Sequence, residues 1–179
     1  MQHKTQVVQQ ATVTALLQHV AQLLEQDNPE QALQLLDRAA AGDSYLDNAR
    51  GVCLMRMGRI KDALFVFRRL AMRGEYAVDL RASPELITNF ATALLLDHNL
   101  GGCRGLLFEL EQERGVRNHP AANRLNACIE RYRAKLGFWQ RLWFSAREDY
   151  VHEVAIDFPP GDLTMPPQSP EPAVVHQQG

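Results

Sequence analysis

Cysteine is scarce in this 179-residue chain, and the three present, Cys53, Cys103 and Cys128, form no Cys-x-x-Cys pair. That spacing gives no basis for a disulfide framework or a zinc knuckle; each lies in a predicted helix, where a free thiol behaves as a small hydrophobe. The six histidines (His3, His19, His98, His119, His152, His176) are scattered, and no two sit at the i, i+4 spacing that puts paired metal ligands on one helix face. A Gly-rich phosphate loop is missing. Gly101-Gly102 follows Asn99-Leu100 at a helix start and reads as a tight turn between paired helices. Serines are few and none lies in a nucleophile elbow. No catalytic, cofactor-binding or metal-binding residue is therefore assigned, and the expectation is a protein that is not an enzyme. Long apolar runs are lacking too, so stable membrane insertion is not expected. The opening Met1-Gln2-His3-Lys4-Thr5-Gln6 has no stretch suited to a signal peptide, from which a cytoplasmic location is expected.

What the chain does have is a repeated pattern. In Gly51-Val52-Cys53-Leu54-Met55-Arg56-Met57-Gly58-Arg59-Ile60-Lys61-Asp62-Ala63-Leu64-Phe65-Val66-Phe67, Gly51 and Leu54 stand three apart, Gly58 breaks the helix, and Ala63 and Phe67 open a second face four apart. Upstream, Val20 and Leu23 precede the turn Asp27-Asn28-Pro29-Glu30, and Ala32, Leu36 and Ala39 follow. Downstream, Ala91 and Leu94 precede Asp97-His98-Asn99, followed by Cys103, Leu107 and Leu110. Small residues thus recur after 31 positions (Ala32 to Ala63) and after 40 (Ala63 to Cys103). On these residues the chain resembles the tetratricopeptide repeat (TPR) family, whose period is roughly 34 residues. The short link 40–43 and an extended inter-repeat loop over 73–83 absorb the two departures. The resemblance implies an all-α fold: a right-handed superhelix of antiparallel helix hairpins, an α-solenoid of about three repeats.

Punctuation places the helices near 6–26, 29–40, 44–57, 60–73, 84–97, 101–115, 119–136 and 138–146. Pro29, Pro84 and Pro120 suit first helical turns, where a missing amide hydrogen costs nothing. Asn28 and Ser83 precede two of them as candidate caps. The last two helices lie beyond the repeats. Leu125, Cys128, Ile129 and Tyr132 give 119–136 an apolar face that suits a capping helix for the end of the stack. Seven of the thirteen aromatics (Tyr132, Phe138, Trp139, Trp143, Phe144, Tyr150, Phe158) fall between 132 and 158, and packing against the end of the repeats is expected to bury them.

Charge is segregated. Residues 104–147 carry nine Lys or Arg against four acids, and 148–179 carry six acids and no Lys or Arg, about +5 followed by −6. The basic stretch is compatible with nucleic acid, but the tethered acidic segment is a nearer competitor, and no nucleic-acid partner is expected. Residues 1–147 are accordingly taken as the repeat domain with its capping helices and 148–179 as an acidic, Pro-rich tail. Within the tail 151–158 reads as extended, and the stretch from Pro159, holding Pro160, Pro166, Pro167, Pro170 and Pro172, as disordered.

The TPR resemblance implies a non-enzymatic protein-protein interaction module, an adaptor or scaffold that takes a peptide or partner protein in a concave groove lined by the first helix of each hairpin. The residues so mapped are Leu17 and Ala21; Asn48, Val52, Met55 and Arg56; and Thr88, Thr92 and Leu95. An Asn amide can pin a peptide backbone and an Arg can clamp a carboxylate. The apolar members favour a peptide with hydrophobic anchors. Self-docking of 151–158 into this groove, or into that of a neighbour as a homodimer, follows from its anchors, its charge and its tether. An alternative is a small dedicated chaperone resembling type III secretion chaperones, which are similarly short and carry about three such repeats.

Overall fold

The computed structural model describes residues 2–39, 42–74, 77–79, 81–143 and 153–167, with the side chains of 2–9, 113, 142 and 143 outside that description. Eight α-helices dominate the described residues: α1 (Gln2–Glu25), α2 (Pro29–Asp37), α3 (Ser44–Arg56), α4 (Ile60–Ala71), α5 (Pro84–Leu96), α6 (Leu100–Phe108), α7 (Pro120–Lys135) and α8 (Phe138–Trp143). Among the described residues the chain is all-α apart from one two-stranded ladder. Each helix packs on the next from α1 to α6, and α1 also meets α3, α3 meets α5, and α5 meets α7.

Three helix ends share one geometry. Asn28, Arg59 and Asn99 donate their amides to Leu23, Leu54 and Leu94, and Asp27, Gly58 and His98 donate theirs to Leu24, Met55 and Leu95. These are the paired bonds of a Schellman turn, which needs a left-handed residue just past the helix. Asp27, Gly58 and His98 supply it with φ of 57°, 74° and 62°. Only one of the three is glycine, so the motif is set by position more than by residue type.

The small positions of the repeat do the packing. Ala32, Ala63 and Cys103 are all fully buried. Gly51 of α3 faces Phe67 of α4 closely: a Cβ there would sit 2.5 Å from Cε1 and from Cζ of Phe67. The end of α3 near α2 is held by charge. Asp47, almost buried, pairs with Arg50 and, at 2.9 Å, with Arg69 of α4, and Arg50 donates to the Leu36 carbonyl at 2.6 Å.

Several local expectations are corrected. Asn28 does not cap α2 with its side chain, which instead donates to the Gln26 carbonyl; Ser83 does cap α5, accepting from Leu86 at 3.2 Å. Asp43 and Asn99 cap α3 and α6, and the Asn99 side chain lies 3.0 Å from where a Gly102 Cβ would be, so Gly101-Gly102 opens a helix under its cap. The loop expected over 73–83 begins as a ladder, β1 (Met72–Arg73) against β2 (Ala77–Val78), turned by Gly74. Arg114 ties its far side down by donating to the carbonyls of Asp79 and Ala82 at 2.8 Å each. The helix expected to run to 115 leaves α geometry after Phe108 and finishes as a π-helical turn, Glu109–Glu113. Such a turn absorbs one extra residue and here delivers Arg114 to that loop.

The capping helix α7 buries Leu125, Cys128 and Ile129. The aromatics of α8 behave otherwise: Phe138 and Trp139 are more than two-thirds exposed and meet each other edge to face at 5.4 Å. The helix is anchored through Arg141, which donates to the Arg133 and Ala134 carbonyls at the end of α7, and this leaves these two rings outside the core. Phe144 and Tyr150 lie outside the described residues, as do 40–41, 151–152 and 168–179. No helix among the described residues is long and apolar enough to cross a membrane.

Candidate functional site

The helices α3, α5 and α7 lie side by side, and residues 153–167 run across them without helix or strand, bending at 157, 158 and 160. Residues 159–167, expected to be disordered from their proline content, are held there because their backbone polar groups find partners on the helices. Asn89 of α5 pairs its side-chain amide with the main chain of one residue. Its Nδ2 donates to the Asp162 carbonyl at 2.7 Å, and its Oδ1 accepts the Asp162 amide at 2.9 Å. In extended chain the amide and carbonyl of a residue point the same way, so a carboxamide completes both bonds as a neighbouring strand would. Asn48 of α3 braces this amide: its Oδ1 accepts from Asn89 at 3.1 Å and its Nδ2 donates to Thr164 Oγ1 at 3.1 Å.

Arg56, at the end of α3, donates to the carbonyls of Pro160 and Gly161, at 3.3 Å each, and to Leu24 of α1 at 3.1 Å. The segment therefore runs antiparallel to α3. Gly161 makes the close approach. With φ of 82°, it leaves room for a Cβ only 2.7 Å from Met55 Cε and 3.0 Å from Val52 Cγ2. Val154, near the start of the segment, is buried in the core cluster.

Charge closes the other edge. Arg131 of α7 holds Asp157 with a two-pronged contact, Nη1 at 2.7 Å and Nη2 at 2.8 Å, while Cys128 Sγ lies 3.4 Å from the same carboxylate. The Arg131 guanidinium, with Cys128 adding a second hydrogen bond, holds the Asp157 carboxyl well below its ordinary range. Arg124, two helical turns earlier, bonds Asp162 Oδ2 at 2.6 Å and stands over the Phe158 ring at 4.9 Å. Past Thr164 the segment borders a cavity of about 450 Å³ shared with Tyr45, Arg81 and Glu85.

Of the residues expected to line a groove, Asn48, Val52, Met55 and Arg56 meet this segment. Thr88 and Thr92 are buried and donate their hydroxyls to α5's own Glu85 and Thr88 carbonyls. Leu17 and Leu95 are core residues, and Ala21 is half-buried. No protein-family model, curated protein or solved structure matches the chain. The site therefore rests on its own geometry. Sequence reasoning misses Asn89, Arg124, Arg131 and Gly161. Carrying Asn48 forward by the repeat offset of 40 lands on Thr88, one residue early. The opposed charges of 104–147 and 148–179 signal the arginine contacts without naming which arginines make them.

Burial pushes Cys53 and Cys103 up to about 12, which leaves both protonated and unreactive at neutral pH.

Proposed function

We propose that this chain is a TPR-like repeat protein, a right-handed superhelix of three helix hairpins closed by α7. Its role is that of a cytoplasmic adaptor or scaffold, binding an extended segment of a protein partner along the face formed by α3, α5 and α7. The observation that carries this reading is the two-way amide contact between Asn89 and Asp162. A side chain that satisfies both polar groups of one extended residue is a device for holding peptide main chain whatever its sequence. Arg56, donating to two successive carbonyls, is a second. The shared turn geometry at Asp27, Gly58 and His98 supports the repeat assignment. In this reading residues 153–167 are an occupant in cis, so a partner must displace them.

Affinity capture from native lysate tests it, comparing three full-length proteins: wild type, Gly161→Leu, and Gly161→Leu combined with Arg56→Ala and Asn89→Ala. Proteins retained by the open form, depleted on wild type and lost with the groove substitutions are the expected result. Capture indifferent to Arg56 and Asn89 would overturn the assignment of this face.

A further inference from the structure

Arg124 touches two side chains of the bound segment at once. Its guanidinium covers the ring of Phe158, with the central carbon 4.9 Å from the centroid, and bonds the Asp162 carboxylate at 2.6 Å. One arginine thus measures the spacing between an aromatic and an acid four residues later. Arg131, seven residues along the same helix, takes the acid immediately before the aromatic in a fork. Seven residues are two helical turns, about 10 Å, which keeps both guanidinium groups on one face. Between these anchors, position 161 accepts only glycine: its φ of 82° lies in the left-handed region, and a Cβ would meet Met55 at 2.7 Å.

The positions of Pro159 and Pro160 are read differently. Around them the groove contacts carbonyls, with Arg56 donating to Pro160 and Gly161, so the missing proline amides cost nothing. The site therefore combines a clamp on main chain with a filter on side chains.

Resting on the peptide-binding reading above, we propose that the groove selects partners presenting a bent, non-helical segment of the form acid, aromatic, any, any, glycine, acid, and that residues 157–162 are an intramolecular copy of it. The acids answer Arg131 and Arg124, the aromatic answers the cation of Arg124, and the glycine answers Val52 and Met55. A partner with this pattern competes with the tail for the same contacts.

The test uses the full chain carrying Gly161→Leu, which frees the groove, and a fluorescein-labelled synthetic peptide of sequence 153–167 with its native glycine. The labelled peptide is expected to bind this variant at least tenfold more tightly than wild type. Peptides carrying Asp157→Asn, Phe158→Ala or Asp162→Asn are each expected to bind about tenfold more weakly than the native peptide. Adding Arg124→Ala to the chain should abolish the difference between the native peptide and the last two, while the Asp157→Asn penalty stays. Equal binding of all four peptides, or of a scrambled peptide of the same composition, would overturn the pattern and leave general peptide binding standing. A variant whose tail is released, as shown by proteolysis, but which binds no peptide would overturn the peptide-binding reading as well. A tail still protected in Gly161→Leu removes glycine from the pattern and overturns it.

Discussion

Replacing Gly161 by alanine places a methyl group where Met55 Cε is 2.7 Å away and the two Val52 methyls are 3.0 and 3.1 Å away. Both side chains are essentially buried in α3, so they have little room to retreat. Holding a residue with a Cβ in the left-handed region costs about 1–2 kcal/mol, and forcing a methyl into packed side chains costs about 1–3 kcal/mol. Since the segment can escape by lifting off, the larger sums are not reached, and a loss of about 2–4 kcal/mol in docking is expected. At 1.4 kcal/mol per tenfold, the undocked fraction rises about 30- to 700-fold, up to full release. Glutamyl endopeptidase cleavage after Glu153, Asp157 and Asp162 under native conditions reads this directly, because cleavage tracks the open population when closing is fast. The helical domain should unfold at a lower urea concentration than wild type, by up to the same free energy, because a segment that docks only on the folded helices stabilises them. Cleavage of the Gly161→Ala tail at the wild-type rate would refute the reasoning.

Other substitutions probe the scaffold and the charge contacts. Gly51→Ala should lower stability by about 1–3 kcal/mol in urea unfolding because its methyl collides with Phe67, and pairing it with Phe67→Leu should restore part of the loss. Gly105→Ala should do the opposite, gaining about 0.5–1 kcal/mol, since the glycine is inside α6 with open space where the Cβ would be. Asp47→Asn should cost about 2 kcal/mol by removing the carboxylate that Arg50 and Arg69 share. For pH, Asp157 is held below its ordinary value of 3.8, so its contribution to docking is complete above that value and declines as pH falls below it. Tail cleavage by pepsin, followed downward from pH 4, should accelerate in wild type and show a weaker pH dependence in Asp157→Asn.

The helix hairpins are legible in the sequence because their packing rests on residue size at fixed spacing: Gly51 against Phe67, and Ala32, Ala63 and Cys103 all fully buried. Helix ends are legible where proline or a capping side chain marks them, as at Ser83-Pro84. The π-helical turn and the β1–β2 ladder are not, since both answer to a tertiary demand, the placement of Arg114 against the Asp79 and Ala82 carbonyls. The aromatic cluster misleads for a related reason. Composition says that Phe138 and Trp139 are apolar, but α8 is anchored through Arg141 and carries them outward.

At the groove, the TPR resemblance picks out Asn48, Val52, Met55 and Arg56, and these four residues of α3 meet the segment. The resemblance misses Asn89 because the residue that meets Asp162 is not the one the repeat offset selects. Gly161 looks like punctuation after two prolines, and only the neighbouring Met55 and Val52 show that it is a point of contact. Arg124 and Arg131 are visible as net charge, but their division of labour depends on which carboxylate each reaches.

The helices α3, α5 and α7 hold the segment by its main chain through Asn89, which pairs with both backbone polar groups of Asp162. Amide hydrogen exchange at Asp162, resolved to the single residue in the full-length protein, tests it most directly, because that amide donates to Asn89 Oδ1 at 2.9 Å. Slow exchange is expected in wild type, and exchange near the rate of an unstructured peptide in Asn89→Ala with the helices still protected. An Asp162 amide that exchanges at the unstructured rate in wild type would contradict it.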